Sequence, residues 1–147
     1  MTENVTPPVV QLRLVVEADD FEAAVAFYRD ALGLREEQSF SNGPGAHGII
    51  LDAGRATLEI FNSAQKEAVD EIEVGRPVAP RMRVAFEVRD SHAATRRLLE
   101  AGATEVAPPT VTPWQSVNAR LDAPAGLHIT VFQESTGPTP PERAAEA

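Results

Sequence analysis

Apolar and polar residues alternate through Gln11-Leu12-Arg13-Leu14-Val15-Val16, which places Leu12, Leu14 and Val16 on one side and Gln11, Arg13 and Val15 on the other. Residues 10–16 therefore read as a strand with one buried face. The period then lengthens. Phe21, Ala24, Val25, Tyr28 and Leu32 recur at helical spacing and predict a helix over residues 20–32. Asp19 and Glu22 are spaced as a capping box at its start, and Gly33 is placed for a left-handed cap at its end. Beyond the turn cluster Ser41-Asn42-Gly43-Pro44-Gly45, residues 48–52 and 56–61 read as paired strands around Ala53-Gly54-Arg55, with a less defined strand near 36–40. Residues 63–73 predict a short linker helix, stopped by the prolines between Gly75 and Arg81. A strand over 82–88, a helix over 91–101, a break at Pro108-Pro109 and strands near 110–113, 116–122 and 127–133 complete the pattern.

The second half repeats the first. Gln11-Leu12-Arg13-Leu14-Val15-Val16 is answered by Arg83-Val84-Ala85-Phe86-Glu87-Val88, Gly33 by Gly102, and Leu58-Glu59-Ile60-Phe61 by Ile129-Thr130-Val131-Phe132. Near-equal offsets at both ends of a unit indicate an internal duplication. The expected fold is α+β: two tandem βαβββ modules, about 9–62 and 81–134, forming one domain over 9–134 with a cupped mixed sheet around a cavity. With Leu12, Leu58, Val84 and Ile129 turned toward the helices, the opposite face collects Gln11, Arg13, Thr57, Glu59, Phe61, Arg83, Glu87, Asn118, Arg120, His128, Thr130 and Phe132. Such a face is too polar for a core and suits a ligand site with aromatic edges.

Composition narrows the function classes. A chain of 147 residues is long enough for one well-buried core. Lys and Arg number 13 against 22 Asp and Glu, a net charge of −9, and no basic stripe tracks phosphates, so nucleic acid is not an expected partner. The absence of cysteine excludes disulfides, thiolate nucleophiles and Cys-based zinc sites. No run of about 20 apolar residues is present, so membrane spanning is not expected and a cytoplasmic location is. Ser135 to Ala147, rich in Pro, Glu and Ala, reads as a disordered tail.

The βαβββ pair, the segment Phe27-Tyr28-Arg29-Asp30-Ala31-Leu32-Gly33-Leu34 and the turn Asp122-Ala123-Pro124-Ala125-Gly126 resemble the vicinal oxygen chelate superfamily, which includes glyoxalases, bleomycin-resistance proteins, extradiol dioxygenases and some epimerases. The resemblance spans roughly residues 9–134. It implies that the modules cup a cavity and that the chain forms a homodimer, as related two-module chains commonly do. It also implies that metal enzymes of this kind place ligands at positions matching Gln11, Glu59, Arg83 and Thr130. Only Glu59 is an ordinary metal ligand, because a guanidinium carries donors only and a divalent ion usually needs three or more carboxylates or imidazoles. No metal and no cofactor are therefore expected.

A charge-assisted pair between Glu59 and Arg83 would replace the ion, either as part of a ligand site or as a structural salt bridge. The candidate ligand-binding set is Gln11, Arg13, Glu59, Phe61, Arg83, Trp114, Asn118, Arg120, His128 and Thr130. Trp114, the only tryptophan, lies in the loop-like Thr112-Pro113-Trp114-Gln115-Ser116, where it either stacks on a ligand or packs on the sheet rim. His47, in a Gly-rich loop, suits a lid, a general base or simple exposure, and His92 falls on a helix exterior. The leading expectation is a metal-free protein that sequesters or carries a small organic molecule. The alternative is an enzyme using Glu59, Glu87 or His128 as acid or base with Arg83 or Arg120 stabilising an anion, with or without a divalent metal. A cavity filled by internal salt bridges would favour a purely structural role.

Overall fold

The computed structural model describes residues 11, 13–57 and 59–134, which form an α+β arrangement of two sheets and three α-helices. The second module follows the expected plan: β3 (Val84–Glu87), α3 (Ser91–Glu100), β4 (Thr104–Val111), β5 (Ser116–Ala123) and β6 (Leu127–Glu134). Its sheet has the order β3-β6-β5-β4, with β3 parallel to β6 and the other pairs antiparallel. Alternation along β5 and β6 sends Leu121, Ile129 and Val131 to the helical side, where they pack with Ala94 and Leu98 of α3 and with Phe27 and Tyr28. Asp90 caps α3 by accepting from the Ala93 amide, and Gly102, at φ +117°, turns the chain out of the helix.

One strand departs from expectation. β4 runs through Pro108 and Pro109 rather than breaking there. It lies at the sheet edge, where a missing backbone donor costs no ladder bond, and its register is irregular between Ala107 and Thr110.

The first module is less complete. α1 (Phe21–Val25) is capped by Asp20, which accepts from the Ala23 amide, so the cap is one residue later than the Asp19–Glu22 box predicted. The helix continues as a π-helical stretch, Ala26–Ala31, in which Leu32 donates to the Phe27 carbonyl. The wider turn shifts the buried face onto Ala24, Phe27 and Tyr28 and leaves Phe21 half-buried. The Tyr28 hydroxyl donates to the Pro124 carbonyl at 2.8 Å and ties the two modules together.

β1 (Arg35–Phe40) and β2 (Gly48–Asp52) make a separate antiparallel pair. Of the outer strands expected over 10–16 and 56–61, the described residues 11, 13–16, 56, 57 and 59–61 form no ladder. Leu14, Val15, Val16 and Ile60 consequently remain exposed. Leu12, Leu58 and the tail expected from Ser135 lie outside the described residues. No helix among the described residues is long and apolar enough to cross a membrane.

Between the modules, α2 (Ser63–Glu73) is capped by the Asn62 side chain and lies against β4 and β5 on the face opposite α3. Its buried residues are Val69, Asp70 and Glu73. A helix that turns two carboxylates inward requires cations beneath it.

Candidate functional site

Those cations come from strand alternation. Asn118 and Arg120 on β5 share a face with His128 and Thr130 on β6, because Arg120 pairs in register with Thr130 and Asp122 with His128. All four are buried, Arg120 completely. The Arg120 Nε donates to Glu73 Oε1 at 2.7 Å, and Asn118 Nδ2 donates to Glu73 Oε2 at 2.8 Å. Arg120 Nη1 stands 3.0 Å from Asp70 Oδ1, an ion-pair contact lying off the hydrogen-bonding direction. Ser116 Oγ donates to Asn118 Oδ1 at 2.7 Å and so orients the amide. Arg120 Nη2 is buried without a hydrogen-bond partner among the described residues.

Asp70 does more than meet Arg120. Its Oδ2 accepts from the Val78 and Ala79 amides, both at 2.9 Å, and thereby folds the segment after α2 back on the helix. Burial works to raise the Asp70 carboxyl's pKa, but the two amides and Arg120 outweigh it and hold the group below the ordinary 3.8.

His128 is held below its ordinary 6.5 by burial and then by the Arg120 charge, against an opposing pull from Asp122. The neutral ring fits its neighbours. Nε2 lies 3.1 Å from Arg120 Nη1, which can only donate, so Nε2 is the acceptor and the proton belongs on Nδ1, 3.4 Å from Asp122 Oδ1.

Arg83, half-buried before the start of β3, donates through Nη1 to Thr130 Oγ1 at 2.7 Å. Its guanidinium carbon stands 6.0 Å from the centre of the Phe61 ring, at the outer reach of a cation–π contact. Burial and then repulsion from the Arg120 charge lower its pKa, against the opposing pull of Glu73, Glu59 and Asp70.

Of the ten candidate ligand residues, the structure thus assembles Asn118, Arg120, His128, Thr130, Arg83 and Phe61. Trp114 is half-buried on the turn between β4 and β5, where Gln115 has φ +68° and Thr112 and Ser116 bond to each other across the turn. Gln11 and Arg13 are exposed and bonded to one another. Glu59 and Glu87 are exposed, and no ion pair joins Glu59 to Arg83; the pairing expected there is replaced by Arg83 with Thr130 and by Arg120 with the two α2 carboxylates. The positions matching metal ligands fit no ion: Arg83 and Thr130 are bonded to each other, and no three His, Cys, Asp or Glu converge among the described residues. Asp70 and Glu73 were missed because residues 63–73 read as a linker. The available signal was their i, i+3 spacing beside Val69, which puts both acids on one helix face.

A cleft of about 690 Å³ opens elsewhere, between α1 and the β1–β2 pair, lined by Phe21, Val25, Arg29, Phe40, His47 and Ile49 among others. His47 packs near Phe21 with ring centres 5.9 Å apart. Arg29 in this cleft already pairs with Asp30 and Glu36. The cleft holds none of the sheet-face residues. We place the candidate site on the sheet face, where buried polar groups converge, rather than in this open cleft.

The sequence matches the glyoxalase-like domain over residues 13–132. No curated protein matches the chain. Among solved structures, the chain resembles TnmS3, an antibiotic binding protein from Streptomyces sp. CB03234, at 21% identity over 88% of this chain and 100% of that one, with a TM-score of 0.57. A glyoxalase/bleomycin resistance protein/dioxygenase superfamily member from Sphaerobacter thermophilus DSM 20745 is 21% identical over 82% and 92% of the two chains, TM-score 0.53. A glyoxalase-related enzyme from Fulvimarina pelagi is 17% identical over 89% and 95%, TM-score 0.52. At these identities the likeness is one of fold.

Proposed function

The chain belongs to the glyoxalase-like family of the vicinal oxygen chelate superfamily, and from that premise we propose that it binds a small organic molecule on the polar face of the second-module sheet, without a metal and without transforming it. The observation that carries this reading is the hydrogen bond from Arg83 to Thr130. Two of the positions at which metal enzymes of this fold hold an ion are here a permanent cation and the hydroxyl that accepts from it. What such a pair offers a ligand is hydrogen bonding and positive charge, with Phe61 beside it for an apolar or aromatic portion. A sequestering role is consistent with the antibiotic-binding protein among the structures of like fold.

Metal-free catalysis has less support. Glu59 and Glu87 are exposed, where nothing holds a substrate against them, and the Nε2 lone pair of His128 is taken up by Arg120. A purely structural role explains the Arg120 ion pairs but not Arg83, which is only half-buried and has no carboxylate bonded to it among the described residues.

A thermal-shift screen of natural products and organic acids tests the reading, since a ligand bound to the folded state raises its apparent stability by mass action. Each compound that stabilises the protein is then recovered and weighed by mass spectrometry. Recovery unchanged, with the stabilisation lost in Arg83→Met, is the expected result. Turnover of the compound, or stabilisation indifferent to Arg83, overturns it.

A further inference from the structure

The anchoring of α2 differs in kind from that of α3. α3 buries Ala94 and Leu98 in the main core, whereas α2 buries a single apolar side chain, Val69, and is otherwise held by Asp70 and Glu73. Ile72 on the same helix stays partly exposed. Its attachment to the sheet therefore rests on carboxylate–guanidinium contacts, which another carboxylate can replace one for one. Arg120 also keeps a donor in reserve, because Nη2 is buried and has no hydrogen-bond partner among the described residues while Nε and Nη1 are engaged. A side chain with five donors in a rigid fork is suited to a bidentate oxyanion, and α2 does not use the fork fully.

Charge counts the same way. With α2 seated, two carboxylates balance Arg120 and Arg83; with α2 lifted, the face presents both guanidinium groups, Thr130, Asn118 and a neutral His128 around one basin. The chain on either side of the helix can accommodate the movement. The N-terminal cap comes from its own neighbour Asn62, and Gly75, at φ +90°, supplies a turn immediately after the helix.

Resting on the ligand-face reading above, we propose that α2 is an internal occupant of the site, its Asp70 and Glu73 standing where the carboxylate of an aromatic acid binds, and that such a ligand enters by displacing the helix from Arg120. The ligand class is an aromatic or conjugated carboxylate: the oxyanion takes the Arg120 fork and Arg83, and the ring takes Phe61.

The test uses the full chain with two probes, 2-naphthoate and its uncharged analogue 2-naphthamide, titrated by calorimetry into the wild type, Glu73→Gln and Asp70→Asn/Glu73→Gln. Both amides keep an oxygen that can accept the bonds now made to the carboxylates, and circular dichroism confirms folding. Removing a competitor that keeps the site closed more than nine-tenths of the time tightens binding by roughly tenfold or more. We expect 2-naphthoate to gain that factor in the neutralised variants, and saturation of the wild type to speed hydrogen exchange in residues 65–73. Equal or weaker binding by the folded variants, or unchanged protection of α2 at saturation, overturns the proposal. Should the double variant fail to fold, Glu73→Gln and the exchange measurement on the wild type decide the matter alone. If 2-naphthamide binds and 2-naphthoate does not, the carboxylate assignment falls while the ligand face stands. If neither probe binds any variant, both fall.

Discussion

Replacing Arg120 with Met removes the one cation that faces both carboxylates of α2. The side chain is completely buried, and its loss leaves Asp70 and Glu73, themselves buried, without the cation that contacts them directly, only the more distant Arg83 acting on them through space. Breaking a buried pair by removing one partner costs about 3–5 kcal/mol, because the remaining charge is desolvated and unpaired. Here the helix has an escape. α2 can swing into water and rehydrate both acids, so the loss is capped at the free energy that docks it, and we expect about 3 kcal/mol, the lower end of that range. Urea unfolding at pH 7.5 measures the loss directly, and the slope of the transition reports the escape. An undocked helix exposes surface before unfolding begins, so the slope falls. Arg120→Met combined with Glu73→Met and Asp70→Asn should recover most of the stability, since an apolar replacement for a buried pair is often near neutral. A loss below about 1 kcal/mol with an unchanged slope, or simple additivity across the three sites, would refute the view that this network holds α2 to the sheet.

Stability should fall as the solution is acidified. His128 titrates below its ordinary 6.5 in the folded chain, so beneath that pH the unfolded chain binds a proton that the folded chain refuses. The contribution is complete above about pH 6.5 and declines below it by at most about 1.4 kcal/mol per pH unit, and His128→Gln should flatten the profile between pH 6.5 and 5. Asp70, whose pKa is also lowered, adds a second loss that begins near its unfolded 3.8 and develops as the pH falls further. Trp114→Ala should weaken binding of an aromatic ligand while costing less than about 1.5 kcal/mol in stability, because Thr112 and Ser116 hold the turn; a larger stability loss with unaltered affinity would assign the ring to packing. Elemental analysis of gently purified protein should find no stoichiometric transition metal, and a full equivalent lost on Glu59→Ala would contradict the donor chemistry described above.

The second module was legible because its signals are local and agree with one another. Period-two alternation in 116–122 and 127–133 placed Asn118, Arg120, His128 and Thr130 on one face, and the ladder register brings them together. The first module carried similar alternation in Gln11 to Val16, yet the described residues 11 and 13–16 form no ladder, since alternation states which face a strand would bury and not which edge it joins. The shift from Phe21 to Phe27 in the buried face arose from the π-helical stretch, an inserted residue that no periodicity announces. Glu59 was singled out through the position of a metal ligand, but the partners chosen by Arg120 come from α2, across a separation in sequence that only tertiary packing closes. Polar residues on a sheet face reveal that something must satisfy them. They do not reveal what.

A small molecule that binds to the polar face of the second-module sheet should leave it unchanged. The most direct measurement is amide and side-chain chemical-shift mapping with a compound recovered from the thermal-shift screen, followed over hours in the same tube. We expect perturbations centred on Arg83, Asn118, Arg120, His128 and Thr130, with the ligand's own resonances constant in intensity. Perturbations centred on the cleft lined by Phe21, Phe40 and His47, or the appearance of product resonances, would contradict it.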